Sequence, residues 1–414
     1  MLFSVEYLNK KKSISKSAIL ITGLIFLYAL LSDPFIFFIF VPSPIRMLVL
    51  LIPMVLVLYA LTIKSELKYK AMVFIFLSIV LMYSLKNLDL SGTIIKYSVQ
   101  FLFLISLFIY TKKTEINRKM LQAWFWFWIY VSLCVIFSFF IFKSNLMTFP
   151  PKFLSETSGN TDYYYSHIPL IGNFVNYSFL GFQVPKSSWY VFEPGMIAYF
   201  FGFNVLLSSY LSYYKVSSSN ILIFKYVNML GGFFTFSSTF ILFLVGYVVY
   251  LSFRWLKSNT LKMIIIFLGV LLIYYAIYYV INGGLLEFTS FGNRSNRTLF
   301  GLKMISQSNI FDLLFGAGLG SPIEQYGAGL SSGLLSIFVE QGLVFLIFTL
   351  VIIFLMLRGK LDLFMFIIFY LLAFNPIYYP MTAIGLYLAY NTRNHILSDN
   401  YGGRSSDNYL GRLI

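Results

Sequence analysis

Residues 333–357 read GLLSIFVEQGLVFLIFTLVIIFLML, an apolar run that holds no Lys or Arg and one carboxylate, Glu340, well inside it. Crossing the hydrocarbon of a bilayer takes about 20 apolar residues in a helix, because every backbone polar group there must bond within its own segment. This run is long enough, and it has company. The 414 residues are 59% hydrophobic and 20% aromatic with only 11% charged, and mean hydropathy is +0.81. A soluble domain could not solvate such a surface, so the chain reads as an all-α polytopic membrane protein, a single integral membrane domain over 1–414.

Further spans are expected at 18–40, 46–63, 70–85, 93–110, 121–142, 189–214, 221–234, 235–253, 263–280, 361–374 and 377–390. Together with 333–357 they make about twelve. The number stays between ten and twelve because 221–253 is too long for one span and short for two, and because the last two runs are short. Gly231 and Gly232 would permit a break in the former, with Thr235–Ser238 beginning the next helix. Lys10, Lys11, Lys12 and Lys16 precede the first run, which has no small-residue cleavage site and exceeds a signal-peptide core; it is expected to be a retained span.

The formal charge of +15 would suggest nucleic acid in a soluble protein. Here the positive-inside bias accounts for most of it: with twelve spans, 20 of the 30 Lys and Arg residues fall on the side that holds both termini. Two long loops, 143–188 and 281–332, then face outward, and the tail 391–414 lies inside, polar and expected to be disordered from Arg393 onward. Cys134 is the single cysteine, so neither a disulfide framework nor a thiolate metal cluster can form within the chain.

Large loops on one face of a helical bundle are where binding and chemistry concentrate. The first carries Tyr163, Tyr164, Tyr165, His167 and Lys186 and leads into Trp189. Aromatic rings with polar rims suit stacking on the C–H faces of sugars, or alternatively an interfacial belt. The second loop carries Arg294 and Arg297, three apart, just before an amphipathic stretch at 298–305. If that stretch alone is helical, both guanidiniums lie at its N-terminal end, a natural cradle for a phosphate or pyrophosphate; the alternative is contact with lipid headgroups. Residues 314–320, Leu-Phe-Gly-Ala-Gly-Leu-Gly, precede no nucleotide-binding unit. Gly316, Gly318 and Gly320 are therefore expected to let the backbone turn and approach a ligand.

Two carboxylates stand at or within spans. Glu193 opens one in Phe192-Glu193-Pro194-Gly195, with Pro194 suited to a first helical turn, and Glu340 lies inside another. Intramembrane carboxylates are costly and mark a cavity or a partner, so each is a candidate for acid–base work or for a structural pair. The chain holds no D-x-D pattern, no Walker motif and no His/Cys/Asp spacing for a metal.

Taken in order, Phe192-Glu193-Pro194-Gly195, Thr235-Phe236-Ser237-Ser238, the Arg294/Arg297 pair, Leu314–Gly320 and Val339-Glu340-Gln341-Gly342-Leu343 resemble the O-antigen polymerase (Wzy) family, within the O-antigen polymerase and ligase superfamily of bacterial envelopes. The resemblance covers residues 189–343. It implies a C-type glycosyltransferase fold in the bacterial inner membrane, with the two long loops periplasmic. Its substrate as donor and acceptor would be an undecaprenyl-pyrophosphate-linked oligosaccharide, and a chain-length-regulating co-polymerase would be a further partner. Neither cofactor nor metal is implied if Arg294 and Arg297 stabilise the pyrophosphate leaving group, with Glu193, Glu340 or His167 as base. The first loop offers Lys143, Lys152 and Lys186 where many members carry arginines, and Ser238 stands where an arginine often follows. Gly329-Leu330-Ser331-Ser332 lacks the histidine common in ligases, which favours polymerase over ligase. A flippase for lipid-linked sugars is the alternative from another class, but transporters show internal repeats and midplane charges, and no repeated half is visible here.

Overall fold

The computed structural model describes residues 16–32, 51–53, 55–56, 103, 107, 114–144, 163–164, 173–179, 182–189, 191, 194–214, 216–255, 260, 289–318, 321–327, 329–330, 332–372, 376 and 379–400. The chain is mostly helical. In order come α1 (Lys16–Leu30), α2 (Thr114–Lys143), β1 (Tyr163–Tyr164), β2 (Asn173–Phe179), β3 (Phe182–Trp189), α3 (Pro194–Ser208), a 3-10 turn (Leu211–Tyr214) and α4 (Ser218–Phe234). There follow α5 (Ser238–Trp255), α6 (Thr289–Gln307), α7 (Ile310–Phe315), α8 (Ser321–Tyr326), α9 (Gly333–Met356), α10 (Leu361–Leu371) and α11 (Pro380–Asn400). Two described helices, Ile116–Lys143 and Gly333–Met356, are long and apolar enough to cross a membrane; Ser17–Leu30, Pro194–Ser208, Thr239–Leu251 and Leu361–Leu371 are shorter apolar helices. The expected spans at 46–63, 70–85, 93–110 and 263–280 lie almost wholly outside the described residues.

The chain forms two compact units, one of Met1–Ser237, Val351–Ile367 and Pro376–Ile414, the other of Ser238–Leu350 and Ile368–Asn375. The first is organised around α2. Trp124 and Trp128 are fully buried there, and the Trp128 ring stacks on Phe200 of α3 at 4.9 Å and 28°. A chain of amides crosses the same core: Trp124 Nε1 donates to Asn204 Oδ1 (2.8 Å), Asn204 Nδ2 to Asn228 Oδ1 (2.9 Å), and Asn228 Nδ2 to the Phe224 carbonyl (2.8 Å). Three helices, α2, α3 and α4, are thereby tied by polar groups that find no water in the core. Small residues let the backbones close in. A Cβ on Gly231 would stand 2.9 Å from the Ser132 side chain of α2, and one on Gly385 of α11 would stand 2.8 Å from the Phe203 ring. Beside the 3-10 turn, the Tyr210 hydroxyl donates to Asp362 Oδ1 (2.5 Å) and the Lys360 ammonium lies 5.6 Å from the Tyr210 ring centroid.

Three expectations are corrected. The fold is not all-α: the first long loop carries an antiparallel sheet in the order β1-β2-β3, with Tyr163 opposite Val175 and Phe179 opposite Phe182. Its sequence signal is the alternation Val175-Asn176-Tyr177-Ser178-Phe179, followed two residues on by Gly181. The break within 221–253 exists, but Gly231 and Gly232 do not make it. They sit buried inside α4, and the helix ends at Thr235, whose hydroxyl donates to the Gly232 carbonyl (2.7 Å) and accepts from the Ser237 N–H (3.2 Å). Phe236 takes φ +48 there, a conformation that costs a non-glycine residue energy, and its ring stacks on Phe139 at 5.0 Å. Lastly, α11 runs on to Asn400, so residues 393–400 are helical rather than a disordered start to the tail.

Replacing Asn228 by Leu strands the Asn204 amide in an apolar core. The expected loss is about 1–3 kcal/mol of stability, the cost of leaving a buried polar group unsatisfied. Thermal unfolding of the detergent-solubilised protein measures it, and a double-mutant cycle with Trp124→Phe should show non-additivity across the amide chain.

Candidate functional site

The second unit holds most of the second-loop and α9 residues singled out above. The glycine-rich segment and Gly301 of α6 meet on one stretch of α9, Leu335–Gly342. The helix begins after Ser332, whose hydroxyl accepts from the Leu335 N–H (3.4 Å) and donates to the Leu371 carbonyl (3.4 Å). It then breaks at Gly342, where φ is +84 and ψ 171. An α-helix interrupted at that point loses the i to i−4 bonds that would reach back from beyond the break, and the carbonyls of Val339 and Glu340 are left to find other donors.

The glycine-rich segment supplies them. The Ala317 N–H donates to the Val339 carbonyl (2.8 Å) and the Gly318 N–H to the Glu340 carbonyl (3.2 Å), while the Gly316 N–H closes α7 on Asp312 (2.7 Å). Contact here is backbone to backbone. A Cβ on Gly316 would stand 2.2 Å from the Glu340 carbonyl oxygen, and one on Gly342 would stand 2.3 Å from the Leu314 carbonyl oxygen. Gly316 and Gly318 also take φ +84 and +120, a region that L side chains avoid. These glycines therefore seat their own backbone against α9. The expectation that they bring backbone to a ligand is corrected for Gly316, whose approach is to Glu340–Gln341; Gly320 lies outside the described residues.

Beside this junction Glu340 is half-buried, and its Oε1 accepts a hydrogen bond from Ser336 Oγ one turn earlier (2.6 Å). Such a bond fixes the carboxylate's rotamer. The helix α6 approaches the start of α9 through Gly301, where a Cβ would stand 2.5 Å from the Leu335 side chain. Arg297 is one turn before Gly301, in the same helical row, and is half-buried; Arg294 is a further turn back. Since α6 starts at Thr289, the two arginines lie in its second and third turns rather than at its N-terminal end. The helix-N-terminal setting expected for them is corrected, because a helix's free N–H groups and dipole act only within its first turn.

The first-loop residues have a different fate. Trp189 is only 4% exposed, with φ +47, and its ring packs edge-on against Phe127 (5.7 Å) and Tyr130 (6.1 Å) of α2. Neither a sugar platform nor an interfacial belt fits a ring so enclosed, and that expectation is corrected. Lys186 sits half-buried in β3 opposite Val175, and Tyr163 and Tyr164 form β1. Tyr165, His167 and Glu193 lie outside the described residues; Pro194 does open α3, as its ring predisposes it to do.

Ser336 and the break at Gly342 escaped the sequence reading. A glycine inside an otherwise uninterrupted apolar run was the available signal. Among the described residues no group of three His, Cys, Asp or Glu side chains could hold a metal ion. Comparison of the chain with protein-family models, curated proteins and solved structures finds no match.

Gly316→Ala and Gly342→Ala should each cost about 2 kcal/mol or more, since the backbone is in a strained region and the partner atom is a carbonyl that cannot yield. Gly329→Ala, which meets nothing within 4 Å, is the matched control. Melting of the three variants in detergent would separate them.

Proposed function

We propose that the protein is an O-antigen polymerase, a glycosyltransferase that joins undecaprenyl-pyrophosphate-linked oligosaccharide units at the periplasmic face of a bacterial inner membrane. The reading takes the chain to span that membrane about twelve times, with both termini cytoplasmic. What carries it is the junction on α9. Two separate motifs of the resemblance, Leu314–Gly320 and Val339–Leu343, meet through paired backbone hydrogen bonds, and α6, which bears Arg294 and Arg297, packs through Gly301 onto the same helix. Residues more than twenty positions apart in sequence are thus parts of one construction.

The chemistry such a site would perform is a substitution at an anomeric carbon. The acceptor sugar's hydroxyl attacks that carbon, the bond from it to the pyrophosphate oxygen breaks, and the hydroxyl proton passes to a base. Glu340 is the base candidate that the described residues support best, because it is partly exposed and held by Ser336; Glu193 and His167 remain the others. Charge develops on the departing pyrophosphate, and paired guanidinium forks match its oxygens in bidentate fashion. Arg297 and Arg294 take that role.

A strain without the protein should make lipopolysaccharide bearing a single repeat unit, and complementation should restore the long-chain ladder on a gel. Loss of all O-antigen attachment, with full-length polymer accumulating on the lipid carrier, would instead identify a ligase. In the complemented strain Arg294→Ala and Arg297→Ala should each reduce polymerisation by at least about a hundredfold, the scale of losing a group that stabilises transition-state charge. Glu340→Gln separates base from bystander: a normal ladder from that variant removes Glu340 from the reaction, whereas a lost ladder with intact membrane insertion retains it.

A further inference from the structure

The same junction has a depth. Glu340 lies seven residues into α9, about 10 Å from its first turn at 1.5 Å per residue. Laid out as one straight helix, the 24 residues of α9 would extend about 36 Å, some 6 Å more than the roughly 30 Å of hydrocarbon they would cross, and the kink at Gly342 reduces that excess. Even with all of that excess at the Gly333 end, the carbonyls of Val339 and Glu340 remain inside the apolar layer. The segment hydrogen-bonded to them must reach that layer too.

Its composition and exposure agree. The short helix α7 presents Ile310 (77% exposed), Phe311 (55%), Leu314 (37%) and Phe315 (40%), and its one charged residue, Asp312, is half-buried in the first turn. No aqueous loop gains from such a surface, and just past the break Leu343, Val344 and Ile347 of α9 are exposed as well. Irregular backbone is tolerated at membrane depth only where its polar groups are satisfied internally. The glycine turn meets that condition: the N–H groups of Gly316, Ala317 and Gly318 all donate to carbonyls, and Gly316 and Gly318 are buried. At the other end, the Asn309 side chain caps α7 by accepting from the Asp312 N–H (2.8 Å), and the exposed Lys303 stands two turns earlier on α6, where a headgroup phosphate would meet it.

We infer that residues 309–318 form a re-entrant element: α7 dips into the bilayer with its Ile310, Phe311, Leu314 and Phe315 face against lipid acyl chains, and the glycine turn seats it on the broken α9. The occupant of that face is bilayer hydrocarbon. The inference depends on α9 crossing the membrane and not on which reaction the protein carries out.

The test uses the full chain in vesicles of phosphatidylcholine and phosphatidylglycerol. In a Cys134→Ala background, which leaves no other cysteine, Phe311→Cys and Leu314→Cys are labelled with bimane and compared with Ile347→Cys in the span and Gln307→Cys before α7. Lipids brominated on their acyl chains should dim the labels at 311 and 314 as much as the one at 347, while aqueous iodide should dim mainly the label at 307. Iodide quenching at 311 and 314 without bromolipid quenching would overturn the inference, since the segment would then lie in water. Protection from both quenchers would overturn it as well, since a protein surface would then cover the face. Should the cysteine variants fail to fold, the unaltered protein can be photolabelled with an acyl-chain diazirine lipid. Adducts on 310–315 as well as 343–347 are then expected, and adducts on 343–347 alone would refute the placement.

Discussion

A backbone carbonyl freed by a broken helix has nowhere to turn among apolar side chains, and the second unit is built around meeting that demand at Val339 and Glu340. An unbonded amide group there would cost several kcal/mol. The donors come from Ala317 and Gly318, in a segment more than twenty residues earlier, and they can reach only because Gly316 and Gly342 lack a Cβ. Much else in the unit accords with this contact: the positive φ at both glycines, the placement of α7, and the position of the Glu340 carboxylate at the lip of the break. The carboxylate gains a defined rotamer from Ser336, so the strained element and the ionisable group are held by the same turn of helix.

The first unit solves a related problem by different means. Its helices are joined through side-chain amides and small residues rather than through a broken backbone. The Trp124–Asn204–Asn228 chain gives each of these three side chains a partner, and Gly231 brings α4 near enough to α2 for that chain to form. Trp189 belongs to this scheme. Its ring is a wedge between β3 and α2, which removes it from the list of groups that could touch a sugar and leaves the binding face of the first loop to other residues.

Several features were legible in the residues themselves. The extents of α9 and α10 follow from runs of apolar residues ended by Arg358-Gly359-Lys360, and Pro194 marks the start of α3 because its fixed φ suits a first turn. Less legible was what glycine means. Gly231 and Gly232 look the same in sequence as Gly342, yet the first two are packing positions in a continuous helix and the third is a break. Propensity cannot tell these apart, since both uses exploit the missing Cβ and only the neighbouring chain decides which applies. Likewise Arg294 and Arg297 suggest a helix start when read from the apolar pattern that follows them, but α6 begins two turns earlier.

By itself the sequence determined that the chain is dominated by apolar helices and where several of those helices begin and end. These are properties of composition and local pattern, and an apolar surround selects them residue by residue. Only the tertiary structure decided that the glycine-rich segment serves α9, that Glu340 sits at its junction, and that the first loop folds into a sheet against α2. Those outcomes depend on contacts between residues far apart in the chain, made where a carbonyl without water takes the nearest donor that can approach it.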